Sequence, residues 1–343
     1  MNVNKNQDNI LCSVCIANYN GAKVLEGCLN SVFQQDFPFN IEVILHDDAS
    51  TDESISIVTE KFPTVRLLKS NINVGFCVSN NRMVSQARGK YILLLNNDAE
   101  LRKDALSVLY NYAVRTNFCG IIGLPQYSME TGELLDMGSI LDPFLNSIPN
   151  KNNSRLNVGL VIGACMWLPR KLWNELGGFP EWFESLSEDK YLCCCARLKG
   201  YPVIALSDSG FDHWVGMSLG GGKITSCRLK TTYRRRALSE RNRSFVMFLC
   251  YPSPMAYLLI PVHLLLLIFE GLILSAVKKE KRIWQEIYWP CFKALYRNRK
   301  KLMRIREKIQ NGRRVTSLSF YSAHTCMPHK LIMLMKYGVP VLR

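Results

Sequence analysis

The stretch Tyr91-Ile92-Leu93-Leu94-Leu95-Asn96-Asn97-Asp98 sets an unbroken apolar run against three polar residues. A run of this length without alternation is the pattern of a strand buried on both faces, and such strands lie inside mostly parallel sheets. Ala99, Glu100 and a helix opening at Asp104 follow. In open α/β sheets ligands bind beyond the carboxyl ends of the strands. Asp98 is therefore placed to hold a hard divalent cation and, through it, a diphosphate. A simple Asn/Asp turn closing a strand has the same local pattern, so the flanking segments decide between the two.

Upstream, Leu11–Ala17 is a second apolar strand ending in Asn18-Tyr19-Asn20-Gly21, and Leu25, Cys28, Leu29 and Val32 then recur at helical spacing. Glu42–Leu45 is a third strand, ending in His46-Asp47-Asp48-Ala49-Ser50-Thr51-Asp52. Ser50 and Glu53 form a capping-box pattern before a helix through Ile55, Val58 and Phe62. Val65–Leu68 is a fourth strand, and Asn71–Phe76 turns into a helix ending near Ala87-Arg88-Gly89. Strand and helix alternate, which predicts right-handed βαβ units on a parallel sheet.

Downstream, Val161–Leu168 reads as another apolar strand, with Pro169 leading into a helix over Lys171–Leu176 that Gly177-Gly178 ends. Trp182 and Phe183 are rings suited either to stacking on a sugar or to a core. Ser187 is placed to cap a helix whose first turn holds Glu188 and Asp189, with Leu192, Cys195 and Ala196 on its buried side and Gly200 at its end.

Charge divides the chain. Residues 1–230 carry 21 Lys/Arg against 23 Asp/Glu, whereas residues 231–343 carry 22 against 5, or +17. A basic tail of this kind suits an anionic membrane surface or a nucleic acid. The first alternative is favoured by Met255–Val277, 23 residues with Glu270 as their single formal charge. Both flanks of that segment are basic, which opposes a single pass, and Pro252, Pro254 and Pro261 divide the region. A monotopic or re-entrant helix pair is expected, with the basic stretch to Arg314 on lipid headgroups. No stacking module or zinc spacing supports a nucleic-acid-binding protein. The 13 cysteines have no paired spacing and Met1–Asn9 is not a signal peptide, so a reducing cytosol and buried thiols are expected.

The first strand is followed by no G-x-G-x-x-G, and no G-x-x-x-x-G-K-[ST] occurs. A nucleotide would be held by carboxylates and asparagines at strand ends. The segments Val14–Asn20, Val43–Asp52, Asn73-Val74-Gly75-Phe76 and Leu94–Asp98 resemble inverting family 2 glycosyltransferases, and the resemblance continues through Gly177-Gly178-Phe179, Ser187-Glu188-Asp189 and Gly200-Tyr201. It covers roughly residues 11–215 and is nearest in look to bacterial rhamnosyltransferase-type enzymes of surface polysaccharide assembly. It implies an α/β GT-A fold, Rossmann-like with a mostly parallel sheet flanked by helices, here with a C-terminal membrane-associating helical segment. The expected organisation is a tail over residues 1–10, a catalytic domain over 11–230 and a membrane-associating region over 231–343.

The resemblance also implies roles. Asp47 matches the acid that contacts the nucleotide base, Asn18 the strand end beside it, and Asn73, Gly75, Asn80 and Arg82 the segment lining the nucleotide pocket. The family's D-x-D is Asn96-Asn97-Asp98 here, so Asp98 is the expected metal ligand for Mn2+ or Mg2+, with Asn97 on the donor. His213 matches a position that completes the metal shell, and Asp189, with Glu188 beside it, matches the general base. A further family acid is Tyr191 in this chain. The expected activity is inverting transfer of a hexose from a nucleotide diphosphate sugar to a lipid-linked or glycan acceptor at the cytoplasmic face of the membrane. A sugar nucleotidyltransferase would need a Gly-rich, Arg- and Lys-bearing loop after the first strand, and Leu219–Lys223 is a glycine run fit for a lid or a linker.

Overall fold

The computed structural model describes residues 9–214, 221–225, 228–338 and 341–342. Most of the expected N-terminal tail, and residues 219 and 220 of the glycine run, lie outside the described residues. The chain forms two compact units: Met1–Gly138, Pro149–Ser185 and Tyr201–Trp214 make the first, and Ser139–Ile148, Leu186–Gly200 and Val215–Arg343 the second. The sequence-based boundary after residue 230 falls inside the second unit.

In the first unit, strands β1 (Cys12–Asn18), β2 (Ile41–Asp47), β3 (Arg66–Lys69) and β4 (Tyr91–Asn96) alternate with helices α1 (Ala22–Phe33), α2 (Ser54–Lys61) and α3 (Phe76–Gln86). β1 pairs in parallel with β2 and β4, and β2 with β3, as the alternation predicts. The chain continues through β5 (Ala99–Leu101), α4 (Ala105–Arg115), β6 (Ile121–Gly123), β7 (Gln126–Ser128), β8 (Leu134–Asp136), β9 (Cys165–Pro169), α5 (Arg170–Leu176), β10 (Val203–Ala205) and β11 (Phe211–His213). A seven-stranded sheet has the order β10-β6-β9-β4-β1-β2-β3, and β5-β11-β7-β8 form a second sheet.

The apolar run of β4 sits in mid-sheet, and Ile92, Leu93 and Leu94 are fully buried. Removing each from water contributes roughly 1.5–3 kcal/mol. Tyr91 stacks on Trp167 of β9 with ring centroids 4.9 Å apart. Leu25, Cys28, Leu29 and Val32 form the buried face of α1, at the spacing the sequence gives. Ten of the twelve described cysteines are buried free thiols.

Three local expectations are corrected, and for Phe183 the structure selects one of the two open readings. The strand expected over Val161–Leu168 is shorter, Cys165–Pro169, and antiparallel to β4, because a turn from Ile162 to Cys165 takes the preceding residues out of the ladder. Ser50 does not cap α2; its hydroxyl accepts from Asn18 and the Asn20 amide, and Asp52 accepts the Ser54 amide. Ser187 makes no cap bond and has a left-handed φ of 68°. Phe183 is core, fully buried, with the half-buried Trp182 edge-on at 4.7 Å.

The second unit contains α6 (Glu188–Leu198), α7 (Tyr233–Cys250), α8 (Met255–Val277), α9 (Trp289–Asn311) and α10 (His329–Tyr337). Gly221–Thr225 is a strand paired with Arg228–Thr231, so this part of the glycine run is not a plain linker. The expected helix pair is one continuous helix, α8. Pro261 lies in its second turn, where it removes a single backbone bond to Tyr257 without ending the helix. Among the described residues α8 is long and apolar enough to cross a membrane, with mean hydropathy 2.3. One face of it, through Ala256, His263, Leu267, Gly271 and Leu274, is buried along its whole length. The other, through Tyr257, Leu258, Leu265, Phe269, Ile273 and Val277, is exposed.

Candidate active site

Parallel pairing sets the first part of the site. The register puts Asn18 beside Asp47 and Ala17 beside Asn96, so three strands end level at their carboxyl edge. There the Asn97 amide donates to Asn18 Oδ1 at 2.7 Å, and the Asn18 amide donates to Asp47 Oδ1 at 3.0 Å. Asp47 Oδ2 accepts the Ser50 amide at 3.0 Å. Asn18 and Asp47 are each 1% exposed, so this chain of side chains is fixed by the sheet itself. A Cβ on Gly21 would lie 2.2 Å from the Asn97 amide and 2.3 Å from Asn18 Oδ1, so only glycine lets the backbone pass over the pair.

The β2 end also orders the next loop. Asp48 Oδ1 accepts the Val74 amide at 2.7 Å and Oδ2 the Gly75 amide at 2.8 Å. Gly75 precedes α3 with φ 89°, a conformation that favours glycine. Asn73, one residue before this clamp, is exposed. Asn80 is buried and its amide donates to the Phe76 carbonyl of its own helix at 2.9 Å. Arg82 donates to Ser70 Oγ at 2.6 Å, and Ser70 lies 3.3 Å from His46 Nε2. Burial depresses the His46 pKa, with the Arg82 cation adding to this against the pull of Asp48 and Asp47.

The second sheet delivers His213. Antiparallel pairing sets it opposite Ala99, beside Asp98, and parallel pairing sets it two residues along β7 from Gln126. His213 Nε2 and Asp98 Oδ1 are 3.0 Å apart, and Asp98 is 3% exposed. The other ring nitrogen, Nδ1, is 2.8 Å from the Gln126 carboxamide. The Gln126 Nε2–H donates to Nδ1, so the ring proton sits on Nε2 and is donated to Asp98 Oδ1, a proton that a bound cation would displace. Asn96 Oδ1 is buried without a hydrogen-bond partner, and Asn96 Nδ2 is 3.5 Å from Nε2. The Asp98 carboxylate and the His213 imidazole therefore meet beside the Asn96 carboxamide, a nitrogen–oxygen donor set that fits Mn2+ or Mg2+. Among the described residues no group of three or more His, Cys, Asp or Glu gathers to hold a metal, so the remaining ligands would come from amide, water and substrate oxygens.

In the second unit, Glu188 and Asp189 occupy the first turn of α6. Glu188 is buried and its Oε2 has no hydrogen-bond partner. Burial, reinforced by the adjacent Asp189 carboxylate, pushes the Glu188 pKa up to about 8. Asp189 Oδ1 accepts its neighbour's amide, that of Lys190, at 2.6 Å.

Asp48, Asn96 and Gln126 are absent from the residues singled out by sequence. Asp48 stands beside an expected site acid and Asn96 beside an expected ligand, so proximity was a usable signal for both. Gln126 lies 87 positions from His213, and only the sheet brings them together.

The chain resembles proteins of known type over part of its length. Residues 13–177 match the profile of glycosyl transferase family 2. An abequosyltransferase of Salmonella typhimurium is 33% identical over 109 residues, 30% of this chain and 32% of that protein. An uncharacterized glycosyltransferase of Haemophilus influenzae is 31% identical over 147 residues, 38% of this chain and 57% of that protein. The matches thus span between about a third and about three fifths of these relatives' own length. Among solved structures, GalNAc-T7 with UDP, GalNAc and Mn2+ superposes with TM-score 0.56 at 14% identity, covering 72% of this chain and 49% of that one. A Pyrobaculum calidifontis mannosyltransferase with GDP-Man and Mn2+ gives 0.50 at 16% identity over 89% and 86%. At these identities the likeness shows the fold, a mostly parallel sheet flanked by helices. Residues 13–177 are a glycosyl transferase family 2 domain, and the chain that carries them has the GT-A fold.

Proposed function

We propose that this protein transfers a sugar from a nucleotide diphosphate sugar to a surface-glycan acceptor, lipid-linked or polysaccharide, with inversion at the anomeric carbon. The observation that carries the reading is the Asp98–His213 pair at 3.0 Å with the Asn96 carboxamide, set beside the Asn97–Asn18–Asp47 chain at one sheet edge. Asp47 and Asn18 receive the nucleotide base, the Asn73–Gly75 loop held by Asp48 flanks it together with Arg82, and Asn97 contacts the donor. Asp98 and His213, with Asn96, would hold Mn2+ or Mg2+, which as a Lewis acid would neutralise the departing diphosphate. Asp189 takes the proton of the acceptor hydroxyl as its oxygen bonds to the anomeric carbon and the bond to the diphosphate breaks. A Glu188 that keeps its proton at neutral pH spares Asp189 a second adjacent charge. Relatives include an abequosyltransferase and a poly(ribitol-phosphate) β-glucosyltransferase, which supports surface glycan synthesis as the setting.

The test is a thermal-stabilisation screen of nucleotide sugars, dTDP-rhamnose among them, with Mn2+ and with chelator. A donor that raises the melting temperature in Mn2+, less in chelator, and not in Asp98→Ala supports the reading. No stabilisation by any nucleotide sugar, with turnover unaffected by excess chelator, refutes it.

The same reading places the second unit on the cytoplasmic membrane surface with α8 in the plane of the bilayer. One face of α8 is buried against protein along its length and the other is exposed and apolar, which supports half-immersion over a crossing. Accessibility labelling of Ser207→Cys and Leu318→Cys, with the thiols at 119, 227 and 326 replaced, should mark both from the inner side only. Marking of position 318 from outside on intact cells would show a pass and overturn the in-plane placement.

A further inference from the structure

The second unit holds a cavity of about 150 Å3 among α7, α8 and α9, lined by Phe248, Ile260, Leu264, Leu295, Leu302 and Arg299. Two further wall residues, Ser244 and His263, turn polar atoms to each other: Ser244 Oγ and His263 Nε2 are 2.8 Å apart, and the hydroxyl donates to the Glu240 carbonyl at 2.7 Å. Water inside would lack the two to four polar partners that hold it, so the space suits an apolar guest. Its volume is that of cavities that take up a six-carbon hydrocarbon. Arg299 is the exposed member of the lining, and its orientation is fixed, with its guanidinium 4.3 Å over the Tyr296 ring and Nη1 donating to the Tyr296 carbonyl at 2.9 Å. Ile260 and Leu264 belong to the same helix as the exposed stripe, between Leu258 and Leu265.

We propose that this cavity binds the apolar chain of a phosphate-bearing lipid, with the phosphate at Arg299. The first carbons of the chain fill the space between α7, α8 and α9, and the remainder passes out along the exposed face of α8. A guanidinium pairs well with phosphate oxygens, and a neutral lipid would leave it unused. The inference rests on the membrane part of the proposed function and not on sugar transfer. Its experiment contains no donor, so failure here leaves the transferase reading standing, and failure of donor binding leaves this one.

The full-length chain is titrated with n-hexyl phosphate, a soluble probe with one short chain and one phosphate, against hexan-1-ol and inorganic phosphate, following the melting temperature. Hexyl phosphate is expected to stabilise saturably, hexanol more weakly and phosphate not at all. Arg299→Gln should weaken hexyl phosphate roughly tenfold, to the level of hexanol. Leu264→Trp, and independently Leu295→Trp should the first fail to fold, fills the space and should abolish binding. Farnesyl phosphate and dihexanoyl phosphatidylglycerol then compete with the probe: displacement by the first identifies an isoprenyl phosphate, and by the second a membrane phospholipid. Displacement by neither, equal effects of hexyl phosphate and inorganic phosphate, or binding unchanged in the filled-cavity variants overturns the proposal.

Discussion

Replacing Glu188 with Gln should make the protein more stable, and more so as the pH rises. The carboxyl is buried, its Oε2 is unpartnered, and its pKa stands at about 8 against an ordinary 4.5, through burial first and the Asp189 carboxylate second. A carboxyl with a raised folded pKa binds its proton more tightly when folded. Its contribution is therefore intact below the unfolded pKa, near 4.5, and is lost as pH climbs to about 8, after which the loss is constant. At 1.36 kcal/mol per pKa unit this window is worth a few kcal/mol, roughly 2–5 kcal/mol. The wild type should lose that much between pH 5 and pH 8.5, whereas Glu188→Gln should not. The assay is thermal melting of both proteins across this range at fixed ionic strength, where each kcal/mol moves the midpoint by roughly 2–4 °C in a domain of this size. If the two melting temperatures run parallel with pH, Glu188 is ionised at neutral pH and the proton-holding role is wrong.

Asp189→Asn keeps volume and helix start, so donor binding should survive while turnover falls roughly 10²–10⁴-fold; near-normal turnover would remove Asp189 as base. Asp48→Ala frees the Val74 and Gly75 amides, and loss of two charge-assisted bonds at 2.7 and 2.8 Å should cost roughly 2–4 kcal/mol in stability and loosen donor affinity, as calorimetry can measure. Gly21→Val should displace the Asn18 and Asn97 side chains and weaken nucleotide binding at least tenfold in equilibrium titration, with the fold intact by circular dichroism. Unaltered affinity there would show that these asparagines do not touch the nucleotide.

The sheet is legible in the sequence because its signals are local. Each of β1, β2 and β4 announces itself as a short apolar run ending in Asn or Asp, and a parallel sheet aligns such ends by geometry alone. Asn18, Asp47 and Asn97 can therefore be named together from the sequence, and they are hydrogen-bonded in a row. The same logic fails where partners come from distant, unpatterned segments. Gln126 sits in a three-residue strand, too short to show a period, and its meeting with His213 depends on the small β5-β11-β7-β8 sheet. Asp48 reads as a turn residue equivalent to Asp47, yet the two carboxylates face different backbones: Asp47 takes the Ser50 amide and Asp48 the Val74–Gly75 pair. Caps are the least legible feature. Ser50 and Ser187 fit the pattern that predicts them, but the first is drawn into the strand-end network and the second has a left-handed φ that turns it away from a capping role.

The apolar segment shows the limit from the other side, since its composition is plain and its neighbours are not. Glu270 is a lone acid in a 23-residue run, which by itself argues either against lipid or for a special role. In the second unit it lies 2.5 Å from Arg236 of α7 and 2.6 Å from Lys330 of α10, and both cations also pair with Glu240, at 3.0 and 2.7 Å. Arg243 joins the same cluster through Glu240. The acid is thus the tie that holds one face of α8 to charged protein along its middle, and breaking one partner of such a buried network leaves an uncompensated charge. A helix standing alone across a bilayer could not keep those partners at its centre without drawing three cations into hydrocarbon with it. The residue that makes α8 look imperfect as a span is the one that fixes it as the outer layer of a helical unit, with its apolar face turned outward.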